Sequence, residues 1–309
     1  MKYGEWMEIW LENYVRPTEK QRTYISYSEI VRLRLMPRFG DRDMDELTPN
    51  EIQQFIKELL ETGNLVTGKG LSSNSVNGII NVIQSTLRTA YNVGCTQSDM
   101  IGKIKYPKPK EQEVICFSEE EQKSIERGVF ERGKCKLYGI IICLYTGLRI
   151  GELLALEWSD IDFDREIMTV SKSCHDWKDE RGEYRKVIES PKTSSSKRNI
   201  PLPSKLVPIL RMMRRQSESN YVIADREHTV RVRSYQRSYS LLLKGLGIPH
   251  KNFHSLRHTF ATRAIECGMD VKTLSEILGH KSPSVTLKLY VHSLYKHKKE
   301  MMDRVGDLL

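Results

Sequence analysis

The stretch Ile104-Lys105-Tyr106-Pro107-Lys108-Pro109-Lys110-Glu111-Gln112 divides the chain into two differently patterned halves. Two prolines and three lysines in so few residues cannot continue a helix, because proline fixes φ and removes a backbone donor. The stretch reads as an extended basic linker. Everything before it is patterned as helix, whereas helices and strands mix after it. The expected organisation is two domains, residues 1–110 with the linker and residues 111–309.

Upstream, Trp6, Ile9, Trp10 and Tyr14 recur at helical spacing. A second helix is expected from Glu19 toward Leu35, stopped by Pro37. Thr48-Pro49-Asn50-Glu51 sets an N-cap, a proline at the first helical position and a capping-box glutamate ahead of a helix toward Leu60, closed by Gly63. After a loop over 64–70, Ser72 or Ser73 caps a long helix ending near Gly94. The first part is therefore expected to be a small all-α, four-helix unit.

Downstream, Ser118 and Glu121 repeat the capping box, and helices are expected over 119–130, 134–146 and about 150–156. A strand-like zone follows over 166–171, 184–189 and 197–201, joined by polar turns. Helical patterning returns after Pro203. The second part is expected to be mixed α+β, mainly helical, with a small antiparallel sheet.

The charge is uneven. Of a formal net charge of +9 over 309 residues, residues 1–110 hold 15 Lys/Arg against 13 Asp/Glu, leaving 34 against 27 for the remainder. Such an excess in the second part suits a polyanion partner, whose condensed counterions are released on contact. Six cysteines without a C-x-x-C pair fit reduced thiols rather than a disulfide frame or zinc site. The longest apolar run, Ile140 to Leu144, is far too short to cross a bilayer. A cytoplasmic protein with no membrane association is expected.

Four segments carry unusual chemistry. In Tyr145-Thr146-Gly147-Leu148-Arg149-Ile150-Gly151-Glu152, an arginine sits among apolar residues and needs a partner. Glu152 is one choice and a bidentate phosphate the other. Ser190-Pro191-Lys192-Thr193, continuing through Lys197-Arg198, reads as a turn leading into an edge strand. In Phe253-His254-Ser255-Leu256-Arg257-His258, His254 and Arg257 share one face of a helix start, where free N–H groups favour phosphate. His254 and His258 also have metal-ligand spacing, but no acid follows His254 as in H-E-x-x-H. Finally, Leu278-Gly279-His280 precedes Tyr290, whose bland reading is half-buried packing.

Taken together and in this order, the segments resemble the tyrosine recombinase (phage-type integrase) family. Arg149 with Glu152, Lys192, His254 with Arg257, and Leu278-Gly279-His280 with Tyr290 match the family pattern. The resemblance spans nearly the whole chain, because the upstream helices look like the family's SAM-like core-binding domain. It implies a site-specific recombinase, of the integrase or excisionase type, carried by a phage or mobile element. The implied substrate is double-stranded DNA core sites, held by a homo-tetramer on two synapsed duplexes, with room for accessory DNA-bending proteins. Larger family members begin with an arm-site-binding domain, whereas this chain starts in the core-binding helices.

The resemblance also implies metal-free chemistry with no cofactor. Tyr290 attacks the scissile phosphate to leave a 3′-phosphotyrosyl link and a free 5′-hydroxyl. Arg149, Arg257 and His280 stabilise the extra negative charge on phosphorus. His254 assists proton transfer at the tyrosine, and Lys192 protonates the leaving 5′-oxygen. Two other readings fit the same fold, a type IB-like topoisomerase and a DNA-binding protein without catalysis. The separate core-binding domain argues against the first, and the full residue set against the second.

Overall fold

The computed structural model describes residues 1–100, 102–109, 114–178, 184–189, 197–225, 228–280 and 282–290, with 299, 302–303 and 305–307 near the C-terminus. At 228–229, 285 and 288–290 it describes the backbone alone. The chain divides into two compact units, Met1–Gln112 and Glu113–Leu309.

The first unit contains α1 (Tyr3–Trp10), α2 (Gln21–Ile30), α3 (Met36–Phe39), α4 (Pro49–Thr62) and α5 (Ser73–Asn92). The buried face of α1 is Tyr3, Trp6, Met7 and Trp10, and the Trp6 indole donates to the Thr86 carbonyl at 3.0 Å. Ile9 and Tyr14 are exposed, so the inward stripe is rotated from the expected one. The second expected helix does not stop at Pro37. It passes through a wider π-type turn over Val31–Leu35 and resumes as α3 with the proline in its first turn. The wider turn leads the backbone past a ring that would otherwise strike the carbonyl four residues earlier. In α4 the capping box forms as read, with Thr48 and Glu51 each accepting from the other's backbone N–H.

The residues leading to the break are strapped to this unit rather than free. The Gln53 side chain pairs with both the N–H (3.1 Å) and the carbonyl (3.5 Å) of Lys105. Asn77 donates to the Pro107 carbonyl at 3.3 Å, and the Tyr106 hydroxyl lies 2.9 Å from both Asn81 Oδ1 and Gln84 Oε1. These side chains lend the extended strand the partners that a helix or sheet would otherwise provide.

The second unit runs α6 (Glu119–Arg132), α7 (Tyr138–Thr146), α8 (Ile150–Ala155), β1 (Ile161–Asp162), β2 (Ile167–Val170), β3 (Ser173–Lys178), β4 (Tyr184–Glu189) and β5 (Arg198–Pro201). There follow α9 (Val207–Arg215), β6 (Ala224–Asp225), β7 (His228–Thr229), α10 (Val232–Gly245), α11 (His254–Glu266), α12 (Val271–Leu278) and α13 (Pro283–Tyr290). The apolar α7, Tyr-Gly-Ile-Ile-Ile-Cys-Leu-Tyr-Thr, is buried on nearly all sides at the centre of the core.

Among the described residues the strands form three small antiparallel groups: β1-β2-β5, the hairpin β3-β4, and β6-β7. Strand β3, Ser-Cys-His-Asp-Trp-Lys, was expected to be a polar turn. Pairing with β4 from Ser173↔Glu189 to Lys178↔Tyr184 satisfies its backbone instead. Two anchors fasten this hairpin. Asp176 accepts from the first N–H groups of α10, Val232 at 3.1 Å and Arg233 at 3.0 Å. Lys186 donates to the Leu154 carbonyl at 2.6 Å, and desolvation draws its pKa down. Gly151 lets α8 approach, since a Cβ there would lie 2.6 Å from the Cys174 carbonyl oxygen. The last helix expected from the sequence, about 295–305, lies largely outside the described residues. No helix among the described residues is long and apolar enough to cross a membrane.

Candidate active site

The end of α7, the start of α8, the start of α11 and the end of α12 converge. Gly147 closes α7 in the left-handed region at φ 66°, and its carbonyl accepts from Arg257 at 2.8 Å. A side chain at Gly147 would strike Phe260 and Leu278, so the turn also sets the approach of α11 and α12. Two residues on, Arg149 is the N-cap of α8 and Glu152 its capping partner, accepting from the Arg149 backbone N–H at 2.9 Å.

Three guanidiniums gather on Glu152 and two consecutive carbonyls. Arg149 donates to Glu152 Oε1 at 2.8 Å and to the Leu278 carbonyl at 3.3 Å. Arg257, only 2% exposed, donates to the same Leu278 carbonyl at 2.6 Å. Arg198 donates through both terminal nitrogens to Glu152, at 2.8 and 3.1 Å, and through Nε to the Ile277 carbonyl at 2.5 Å. The carbonyls at the end of α12 would otherwise lack partners, and they carry the negative end of the helix dipole. Burial works against the Glu152 charge, but Arg198 and Arg149 outweigh it and hold the carboxyl at about 2. These four side chains carry three positive charges and one negative, a formal +2 in a partly buried place.

The imidazoles stand beside this charge. His280 follows Gly279, the left-handed C-cap of α12, and its Nδ1 lies 2.7 Å from the Thr286 hydroxyl. That contact leaves Nε2 without a partner among the described residues. Desolvation, then Arg257 and Arg149, depress its pKa to about 4. His254 opens α11 with its ring edge-on to His258 at 4.7 Å between centroids. Its surface faces solvent, yet the packing beneath it, His258 and the two arginines lower it to about 4. Both rings are therefore neutral at pH 7, able to accept a proton or donate a single hydrogen bond.

The backbone of Tyr290 ends α13, and nothing of its side chain is described. Lys192 lies outside the described residues. Of the lysines near it in sequence, Lys172 is committed to Glu157 at 2.9 Å and Asp160 at 3.9 Å, which raises its pKa and removes it as a ready acid. Among the described residues no cluster of His, Cys, Asp or Glu could hold a metal ion.

Sequence reasoning missed Arg198 and Thr286. The signal for Arg198 was present: strand alternation puts it on the same face as the buried Ile200. An arginine on a core face needs a buried partner, and Glu152 was available.

The sequence profile of the phage integrase family matches residues 110–297. The chain belongs to the phage integrase family. A second profile, the N-terminal SAM-like domain of phage integrases, matches residues 2–60. The XerC-like tyrosine recombinase of Caldanaerobacter subterraneus subsp. tengcongensis is 28% identical, covering 99% of this chain and 83% of that protein. The Tn1549 transposon integrase, solved with a circular intermediate DNA, superposes with a TM-score of 0.80 at 21% identity over 99% of both chains. The lambda integrase, solved as a tetramer bound to a Holliday junction, gives a TM-score of 0.68 at 19% identity over 92% of this chain and 78% of that one. The chain is thus a tyrosine recombinase, an N-terminal SAM-like domain followed by a catalytic domain, and a site-specific DNA recombinase by family.

Proposed function

We propose that the chain cuts and rejoins double-stranded DNA core sites through a 3′-phosphotyrosyl intermediate on Tyr290, as the integrase or excisionase of a mobile element. The observation that carries this reading is the guanidinium cluster: Arg149 and Arg198 share one carboxylate, Arg257 shares the Leu278 carbonyl with Arg149, and Arg149 is only partly covered by protein. Such a cluster is suited to a dianionic phosphorane, which gathers charge on its non-bridging oxygens as the nucleophile adds.

Arg149 and Arg257 grip those oxygens, doing electrostatically what a divalent cation does in other phosphoryl-transfer enzymes. Neutral His280, oriented by Thr286, donates one further hydrogen bond from Nε2. Neutral His254 takes the phenolic proton as Tyr290 attacks, a transfer needed because a free phenol near pKa 10 is a weak nucleophile at pH 7. Lys192 delivers a proton to the departing 5′-oxygen. The phosphodiester energy is kept in the phosphotyrosine, so a 5′-hydroxyl from another duplex reverses the step without ATP. The upstream unit, residues 1–110, holds the core site, and 111–309 perform the chemistry. By analogy with the lambda integrase tetramer, four copies act on two synapsed duplexes.

A nicked suicide duplex, which traps cleavage because the short fragment bearing the new 5′-hydroxyl diffuses away, tests this reading on a denaturing gel. The wild-type chain is expected to form a covalent adduct in EDTA. Tyr290→Phe is expected to retain site binding in a band shift and form none. An adduct of undiminished yield in Tyr290→Phe would exclude this tyrosine as the nucleophile.

A further inference from the structure

Arg149 and Arg198 share one carboxylate unequally. Glu152 presents both oxygens to Arg198, Oε1 to Nη1 at 3.1 Å and Oε2 to Nη2 at 2.8 Å, as a bidentate fork. Arg149 reaches only Oε1, at 2.8 Å through Nη1, the nitrogen that also meets the Leu278 carbonyl. The Arg149 backbone N–H takes the remaining lone pair on Oε2. Consequently Nε and Nη2 of Arg149 have no protein partner among the described residues, and its side chain is 37% exposed. Two parallel donors of that kind are what a phosphate takes bidentately.

We propose that Arg198 is a positioning residue for strand cleavage: by occupying both oxygens of Glu152, it keeps Arg149 on a single-point contact and its outer donors open for the scissile phosphate. The proposal rests on the reading of Arg149 as a phosphate ligand given above. Each nitrogen of the Arg198 guanidinium is already engaged with protein, Nη1 and Nη2 by Glu152 and Nε by the Ile277 carbonyl. Gly279 closes over it, since a Cβ there would lie 3.1 Å from Arg198 Cδ and Nη1. The turn that carries His280 thus rests on the same guanidinium. With Arg198 gone, Glu152 would be a buried carboxylate with one cation left in reach. It would draw Arg149 into the two-point pairing that a guanidinium and a carboxylate prefer, consuming a donor the phosphate needs.

This differs from a general structural role in a measurable way. If the fault lies in the grip on the non-bridging oxygens, it shrinks when one of them is replaced by an uncharged methyl. Wild type, Arg149→Ala, Arg198→Lys, Arg198→Met and the double variant Glu152→Gln/Arg198→Met are compared as full chains. The substrates are suicide duplexes with either a normal phosphate or a methylphosphonate at the scissile position. Band shifts and thermal melts accompany the adduct rates. Arg198→Met is expected to lose about tenfold to a hundredfold on the phosphate substrate, the scale of a displaced catalytic group. Most of that loss should vanish on the methylphosphonate, as for Arg149→Ala. Arg198→Lys keeps a charge but not the fork, so it should show the same selectivity to a smaller degree. Adding Glu152→Gln should restore part of the phosphate rate by abolishing the capture of Arg149.

Equal slowing of both substrates by the Arg198 variants, or no slowing in either, overturns the proposal while the wild-type adduct stands. A wild-type chain that forms no adduct sinks the underlying reading and this proposal with it.

Discussion

Glu51 and Glu152 perform one local task in two regions of the molecule. Each is the third residue of a helix, each accepts from the N-cap backbone N–H, at 3.0 Å from Thr48 and 2.9 Å from Arg149, and each meets an arginine. In α4 the pair with Arg42 is exposed to solvent at 44% and 36%. In α8 the carboxylate is 7% exposed and joins two guanidiniums. Identical capping geometry therefore yields a helix start in the first unit and a charged site in the second. Burial makes the difference. Water screens the surface pair, whereas the buried carboxylate is needed because removing it strands two cations.

The largest effect should follow from Glu152→Ala. Breaking a buried pair by removing one partner costs about 3–5 kcal/mol, which for a unit of this size is a fall of roughly 10 °C in Tm. Scanning calorimetry should show it in the transition that carries the second unit. A shift no larger than that of a surface capping residue would erase the distinction drawn here.

Acid should separate the two carboxylates next. Glu152 sits at about 2 against an ordinary 4.5, so its stabilisation is complete above 4.5 and is lost as the pH falls toward 2. His254 and His280 add an earlier loss, because each sits at about 4 against 6.5 and resists the charge that the unfolded chain accepts readily. Urea melts between pH 7 and 3 should therefore show stability declining first below 6.5 and again below 4.5. Glu152→Gln should make the lower decline shallower, the remainder coming from carboxyls such as Glu51 and Asp270 that are also held low.

The smallest effect belongs to Glu51→Ala, expected at about 1 kcal/mol or less, from lost capping and a screened ion pair. The ion-pair share should disappear in 1 M salt, where the Debye length is about 3 Å, whereas the cost of Glu152→Ala should persist. Urea midpoints at low and high salt decide this, and a salt-insensitive Glu51 contribution would leave capping as its whole effect.

Much of this was legible in the chain itself. Caps such as Thr48, Ser72 and Ser118 announce their helices because a side-chain oxygen and a nearby N–H meet whatever the rest of the protein does. Arg149, His254, Arg257 and His280 could be singled out because cations among apolar residues demand an explanation, and the fold brings the four together. Long-range pairing was not legible. Strand β3 is polar and short, and only its partnership with β4 makes it a strand. Arg198 could be placed on a core face by its alternation with Ile200, but its partner, Glu152, 46 positions earlier, could not be read from the chain. The extended linker was expected from its prolines, but its docking on Gln53 and Asn77 depended on helices distant in sequence.

If the arginine cluster serves a phosphate attacked by Tyr290, the bond itself can be located. The trapped adduct is digested with trypsin and nuclease, and the nucleotide-bearing peptide is fragmented by mass spectrometry. Cleavage after Lys288 and Lys296 isolates a peptide containing both Tyr290 and Tyr295, so fragmentation must distinguish them. A 3′-nucleotide esterified to Tyr290 is expected. A nucleotide on Tyr295, or one joined through its 5′-phosphate, would contradict it.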